Sequence, residues 1–575
     1  MRKHFAAIFA AASLCASIAS SSTAGDSLAS VGVNGGDNYY WSGQWMFADL
    51  VKHGMDWGEP EEIGTTYTLD ENGWVNWLAT GAVRNLLLVD GNYPTGRYVI
   101  LYEGEGSMFA NCADCNEISR APGRIVVDIL SPDYLQLTIT SVNASNYPRN
   151  IRLVPIEQEA TYLTQPFDPT FLERLRPFAA FRLLDLMATN GNTQVTWSER
   201  PKPTDALQGT EKGVALEYLV ELANQADVDP WFCIPPRVDD DYIHHFAQTV
   251  WTQLEPERKV YVEYGNEIWN DGYPYSVDGD WMANQALLEM PPLYEDDGVT
   301  PATVMTRKLR YQVWRSRQIF EIFQQEAAAL GVDARRLVRV LASQSAYIAR
   351  ITYTLDWQFP DGSFAYQHAD ALAVAPYFAG PGSDEQSNWL YAANVDGILD
   401  FAECAIDDSS PPPSGCGMPH ESVLSWVQGD KAVADARGLR LLGYEGGQHL
   451  VAYGTLGEDA DFVARLADAN RHPRMRTLYE KYLTMWKNEG GELLCLYHFA
   501  GGWGRWGYWG LMEHQGDPLA VAPKYEGALD FMSANPRWWQ DPWPVDEPSL
   551  SVTDATVAEG SGSGALLTFT VSVSP

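Results

Sequence analysis

Positive charge is scarce in this chain. Lysine and arginine number 39 against 75 aspartates and glutamates, which leaves a net charge of −36 at neutral pH. A surface of that sign repels phosphate and other anions, so nucleic acid, anionic membranes and polyanionic glycans are set aside as partners. Long apolar runs are missing too. The N-terminal stretch Phe5–Cys15 falls short of the roughly 20 residues a membrane span needs, and no later stretch qualifies. Cysteine is sparse, with seven residues in 575, and no histidines stand at zinc-ligand spacing from them. No metal and no cofactor are therefore expected.

What is present begins with a targeting segment. Arg2 and Lys3, the apolar stretch behind them and Ser22-Thr23-Ala24 have the order of a signal peptide over 1–24. Cys15 has Ala12 three positions before it, where a lipoprotein signal carries leucine. The mature protein is expected to be secreted, extracellular or periplasmic, and in that setting Cys112 with Cys115 ("CADC") and Cys404 with Cys416 are candidates for oxidation. Cys233 and Cys495 sit in apolar runs and read as buried thiols. The 21 tryptophans and 29 tyrosines are core for the most part, but in a polar exported chain they also suit stacking on sugar rings.

Along the chain, period-2 and period-3.6 patterns alternate. "SVGVNGG" reads as a strand, and "WMFADLVKHG" behind it as helix-like. Residues 60–160 then hold only strand patterns with turns between them, which predicts a small β-sandwich inserted after the first strand. From 161 to 535 strands and helices alternate: "FAAFRLLDL", "DPWFCIP", "VYVEYGNE", "RLVRVLAS", "ADALAVAPYF", "LRLLGYEGG" and "ELLCLYHF" supply seven more strands. The predicted fold is α/β, a (β/α)8 TIM barrel over 25–59 and 161–535. The segment 536–548 reads as a Pro- and Trp-rich linker, and 549–575 as two strands around a Gly/Ser turn that resemble the first part of a Calx-β module. No calcium is assigned to it.

In such barrels chemistry gathers at the C-terminal ends of the strands. Polar groups stand there at Arg182, Asn266-Glu267, Tyr377 and Glu445. Under period-2 alternation Tyr261, Glu263, Gly265 and Glu267 share one face, as do Leu439, Leu441, Gly443 and Glu445. Two carboxylates would then meet across the barrel mouth, as glycoside hydrolysis requires: one carboxyl protonates the leaving oxygen while the other attacks or activates water.

This constellation resembles the clan of retaining (β/α)8 glycoside hydrolases that contains cellulases, mannanases and xylanases. The "GVNGGDNYYWSGQW" opening and the "PPRVDDDY" turn are similar to those of bacterial proteins described as cellulose-binding. The resemblance implies Glu267 as acid/base, Glu445 as nucleophile, Asn266 as the amide bonding the sugar 2-hydroxyl, and Tyr377 and Arg182 as supports of the nucleophile. It also implies Trp503 as the aromatic floor under the scissile sugar. A retaining pair should stand about 5–5.5 Å apart. Trp41, Trp45, Trp269, Trp281, Trp506 and Trp509 are further candidates for sugar stacking. The implied substrate is a neutral β-linked glycan.

Rival readings attach to several residues. The alternative to an enzyme is a non-catalytic glycan-binding protein on a barrel scaffold, whose mark would be an incomplete site. An isomerase or aldolase would want a strand-end lysine or a phosphate loop, neither of which is seen. "DDD" at 239–241 reads as a helix N-terminus with acids at its positive end, and Glu263 as a buried ion-pair partner that rivals Glu267. The distance from Glu267 to Glu445 predicts long loops at about 270–300 and 379–420.

Overall fold

The computed structural model describes residues 29–58, 65–79, 81–89, 93–407, 422–539, 549–552 and 571–574. Eight short parallel strands make its centre: β1 (Gly32–Asn34), β2 (Ala180–Arg182), β3 (Asp229–Ile234), β4 (Val260–Tyr264), β5 (Leu337–Ala342), β6 (Ala371–Val374), β7 (Arg440–Gly443) and β8 (Cys495–Leu496). From β1 to β7 each pairs with its sequence neighbour, and β1 also pairs with β8. The ring closes where Gly443 bridges Leu494, with Gly443 N donating to Leu493 O at 2.8 Å and Glu492 N to Leu441 O at 2.9 Å. A Cβ at Gly443 would overlap the Leu494 side chain, so glycine permits this approach. The fold is an eight-stranded parallel α/β barrel, as expected. Strands β3 and β4 are buried along their whole length, because helices cover the outside and side chains fill the inside.

The helices follow local signals where those are strong. Val304–Leu330 starts at Thr303, whose side chain accepts from Thr306 N, and stops at Gly331 in the left-handed region (φ 69°). Asp240–Gln253 is capped by Asp239, which accepts from Tyr242 N at 2.8 Å, while Asp240 pairs with Arg315. Most of "DDD" is thus helix-end chemistry.

Elsewhere tertiary context overrides the pattern. The helix expected over "WMFADLVKHG" is only a short 3-10 turn, Leu50–His53, because Phe47 bridges Phe167 before it and Gly54 leaves it extended. Between β7 and β8 the pattern "DFVARLADANRHPRMRTLYEKYLTMWKNEGG" reads as one helix but forms two, Ala460–Arg471 and Arg474–Asn488. Pro473 lacks the N–H that would continue the first. The segments expected as long loops carry helices: Tyr275–Glu289 in one, Asp384–Ala392 and Val395–Ile406 in the other.

Between β1 and β2 the described residues include nine antiparallel strands in sheets of four, three and two. Inward residues of the two larger sheets, among them Leu87, Ile100, Val127, Leu137 and Leu153, form one hydrophobic cluster. The same cluster takes in Trp45, Leu50 and Val51 from the loop after β1 and Leu207 from the loop after β2. The insertion is therefore all-β, but its core is continuous with barrel loops, and it forms one compact unit with them. Cys112 and Cys115 are joined by a disulfide. Cys233, Cys404 and Cys495 are buried, and Cys416 lies outside the described residues.

Residues 537–575 form a second unit, in which Ser549–Val552 and Val571–Ser574 pair antiparallel with Ser549 opposite Ser574. Among the described residues no helix is long and apolar enough to cross a membrane.

Candidate active site

Arg182, the last residue of β2, is fully buried and organises the barrel mouth. Its Nε donates to Glu263 Oε2 (3.1 Å) and its Nη2 to Asn266 Oδ1 (2.9 Å). Its Nη1 donates both to Asn34 Oδ1 (3.0 Å) and to Glu445 Oε1 (2.8 Å). One planar guanidinium thus ties together the ends of β1, β2, β4 and β7. A guanidinium suits this place because its donors diverge in a plane and it keeps its charge when buried. Glu263 is buried under this group and also accepts from the Trp231 indole N–H at 2.9 Å. It is an interior ion-pair partner and does not line the cleft.

Glu445 has both carboxylate oxygens engaged: Oε1 by Arg182, and Oε2 by the Tyr377 hydroxyl at 2.9 Å. Burial pushes its carboxyl up to about 7, with the neighbouring Glu267 charge adding to the rise and Arg182 and Tyr377 opposing it. Glu267 is half-buried. Its Oε1 accepts from the Tyr444 hydroxyl at 2.7 Å and its Oε2 from Asn270 Nδ2 at 3.2 Å.

Strict alternation does not deliver these groups. Strand β4 ends at Tyr264, and the chain turns through Gly265 (φ 69°) and Glu267 (φ 44°). That turn lets consecutive residues Asn266 and Glu267 both face the mouth. Beyond β7, Tyr444 and Glu445 likewise both reach in, one to Glu267 and the other to Arg182.

The cleft beside the pair has a volume of about 740 Å³; Glu267, Trp269, Tyr347, Tyr377, Trp426 and Tyr444 are among its walls. Asn266 is buried, with Oδ1 on Arg182 and Nδ2 donating to Asn190 Oδ1 at 3.3 Å. Trp269 packs its edge on Tyr444, with ring centroids 6.4 Å apart.

Several of the expected tryptophans are not among the cleft walls. Trp503 lines a second hollow: β8 ends at Leu496, and Tyr497 follows it, its hydroxyl donating to Asp185 Oδ2 at 3.2 Å. Further along the loop Trp503 instead packs under Lys524 Nζ (4.2 Å from the ring centroid) and donates to Gly510 O at 3.1 Å. Trp41 lines the same second hollow as Trp503, not the cleft. Trp281 packs on Tyr311, and Trp45 is buried toward the insertion. Trp509 stands near the pair, edge-on to Tyr377 at 5.6 Å.

Sequence reasoning missed Asn34, Asn190, Asp185, Tyr444 and Tyr497. Asn34 was findable, since it ends β1 as a polar residue just as Arg182 ends β2. Tyr444 carries no such signal, because a tyrosine beside a strand end is more often packing than chemistry.

No protein-family model and no curated protein match the chain. Solved structures that resemble it include a GH5-4 broad specificity endoglucanase from Clostridium longisporum, 8% identical, covering 62% of this chain and 96% of that one (TM-score 0.30). A Bacteroidetes-affiliated GH5 cellulase is 12% identical over 64% and 84% (TM-score 0.31). A Bacteroides ovatus GH5 xyloglucanase, solved with a XXXG heptasaccharide, is 9% identical over 79% and 96% (TM-score 0.29). At such identities and scores nothing about chemistry follows. The fold stands on the closed ring of strand pairings.

Proposed function

We propose that the protein is an exported glycoside hydrolase acting on a neutral β-linked polysaccharide such as cellulose, β-glucan, xylan or mannan. One observation carries the reading. Two carboxyl groups from β4 and β7 meet at the mouth of a closed barrel, and the Glu445 carboxylate receives a fixed donor on each oxygen while Glu267 lines an open cleft. A carboxylate held from both sides by Arg182 and Tyr377 is oriented for attack and is stabilised as an anion. A second carboxyl facing the cleft can protonate a leaving oxygen and later take the proton of the incoming water.

In this scheme Glu445 forms a glycosyl ester as Glu267 gives its proton to the aglycone oxygen. Glu267 then deprotonates the water that releases the sugar with retention. Asn266, held by Arg182 and Asn190, is the amide we assign to the sugar 2-hydroxyl. Trp269, a wall of the cleft, and Trp509, packed on Tyr377, are the aromatics we assign to sugar stacking.

Reducing-sugar release from a panel of neutral β-glycans tests the reading, using the wild type, Glu267→Gln and Glu445→Gln. Release that falls by orders of magnitude in both variants supports it. Binding to insoluble cellulose with no release from any glycan would replace it with a non-catalytic glycan-binding protein.

A further inference from the structure

The loop after β1, the loop after β8 and the inserted β-segment enclose a second hollow that shares none of the cleft's lining residues. Its volume is about 270 Å³, and its walls include Trp41, Trp45, Tyr93, Gly502, Trp503 and His514. We propose that this hollow is a second sugar-binding site, which holds one ring of the same neutral β-glycan whose chain is cut in the cleft. The proposal rests on the glycosidase reading for the class of glycan, and on the hollow's own construction for everything else.

The construction is that of a stacking site. Trp41 is 53% exposed, an unusual place for an indole unless it meets a partner, and it is braced from behind by Tyr39 (4.2 Å between centroids) and Tyr40 (4.9 Å). Trp503 is locked by its hydrogen bond to Gly510 O and by Lys524 Nζ packed over its ring. Trp41 presents an apolar face already held by its neighbours, with Trp503 closing the hollow beside it, and the C–H face of a pyranose is a matching surface.

The charges around the hollow are spent within the protein. Glu513 is held by Arg471 through hydrogen bonds of 2.6 and 3.1 Å, and the His514 ring faces Asp517 at 3.6 Å. This leaves polar rims without a free charge, which suits a neutral ligand over an ionic one. The volume falls just under the range of about 300–1,000 Å³ usual for small-molecule pockets, which fits one ring of a longer chain.

The Trp41 side chain also hydrogen-bonds Asp37, which follows β1. The wall supplied by the insertion, Leu88, Val89 and Tyr93, gives that segment a part in holding substrate.

The test is affinity electrophoresis of Glu267→Gln, which removes hydrolysis, in gels containing hydroxyethylcellulose, mixed-linkage β-glucan, xyloglucan, glucomannan or arabinoxylan. Two further substitutions are added to that background. Gly502→Trp fills the hollow: a Cβ there meets no atom within 4 Å, and the backbone is not left-handed. Trp41→Ala removes one wall at an exposed position.

Retardation of the parent by at least one polymer, with affinity falling about tenfold in each added variant, is expected. Undiminished retardation of the Gly502→Trp variant, or no retardation of the parent by any polymer, overturns the proposal. Wild-type cleavage of aryl β-glycosides reads the catalytic assignment separately. If that fails while the hollow variants still lose retardation, the binding site stands without the enzyme.

Discussion

Replacing Tyr377 by phenylalanine removes one atom from the candidate site and should change the pH dependence in a calculable way. The hydroxyl donates to Glu445 Oε2 at 2.9 Å, and it opposes the rise that burial imposes on that carboxyl. The ring itself is packed edge-on against His449 (5.4 Å) and Trp509 (5.6 Å), contacts that phenylalanine keeps. A hydrogen bond to a charged group contributes about 1.5–3 kcal/mol, which at about 1.4 kcal/mol per unit raises the Glu445 pKa by about 1–2 units.

The sign follows from which form is bonded. The hydroxyl stabilises the anion, so its loss favours the protonated carboxyl. From about 7 the value should climb to about 8–9, and the ionised fraction at pH 7 should fall from about half to about 1–10%. The assay is the rate of covalent inactivation by a 2-deoxy-2-fluoro β-glycoside as a function of pH, which follows the ionised nucleophile. The acidic limb should move upward by that amount while the rate at high pH recovers. A limb that stays in place, with or without a slower rate, refutes the assignment of Tyr377 as the donor that holds the Glu445 anion.

Other changes test the surrounding frame. Arg182→Met leaves Glu263 and Glu445 buried without their counter-charge and should lower stability by about 3–5 kcal/mol, read as a shift in the urea midpoint. Tyr444→Phe removes the 2.7 Å bond to Glu267 and should slow glycan hydrolysis roughly tenfold. Aryl glycosides with good leaving groups, which need little protonation, should be slowed much less; equal losses on both would count against Glu267 as the proton donor. Gly443→Ala forces a methyl into Leu494 where the barrel closes and should cost about 1–3 kcal/mol, again read from the urea midpoint.

The chain's amino-acid order determined much of this alone. Helices with a strong cap at each end, such as Val304–Leu330 between Thr303 and Gly331, were legible because capping is local chemistry. So was the succession of buried strands, since β3 and β4 are apolar enough to be recognised without their neighbours. Polar residues at the ends of such strands marked Arg182, Glu267, Tyr377 and Glu445, because a barrel interior does not keep polar side chains without a task.

Tertiary structure decided what depends on distance across the barrel. That one guanidinium joins Asn34, Glu263, Asn266 and Glu445 follows from four strand ends converging, and those residues are up to 411 positions apart in the chain. That Glu267 and Tyr444 meet depends on the left-handed turn after β4, which breaks the alternation a strand pattern assumes. Most of all, tertiary structure sorted the tryptophans. A sequence assigns every indole the same chemistry, whereas packing sent Trp269 to the cleft and Trp45 to the base of the insertion. It brought Trp41 and Trp503, from opposite ends of the barrel segment, to face one hollow, because β8 lies beside β1 only once the ring has closed.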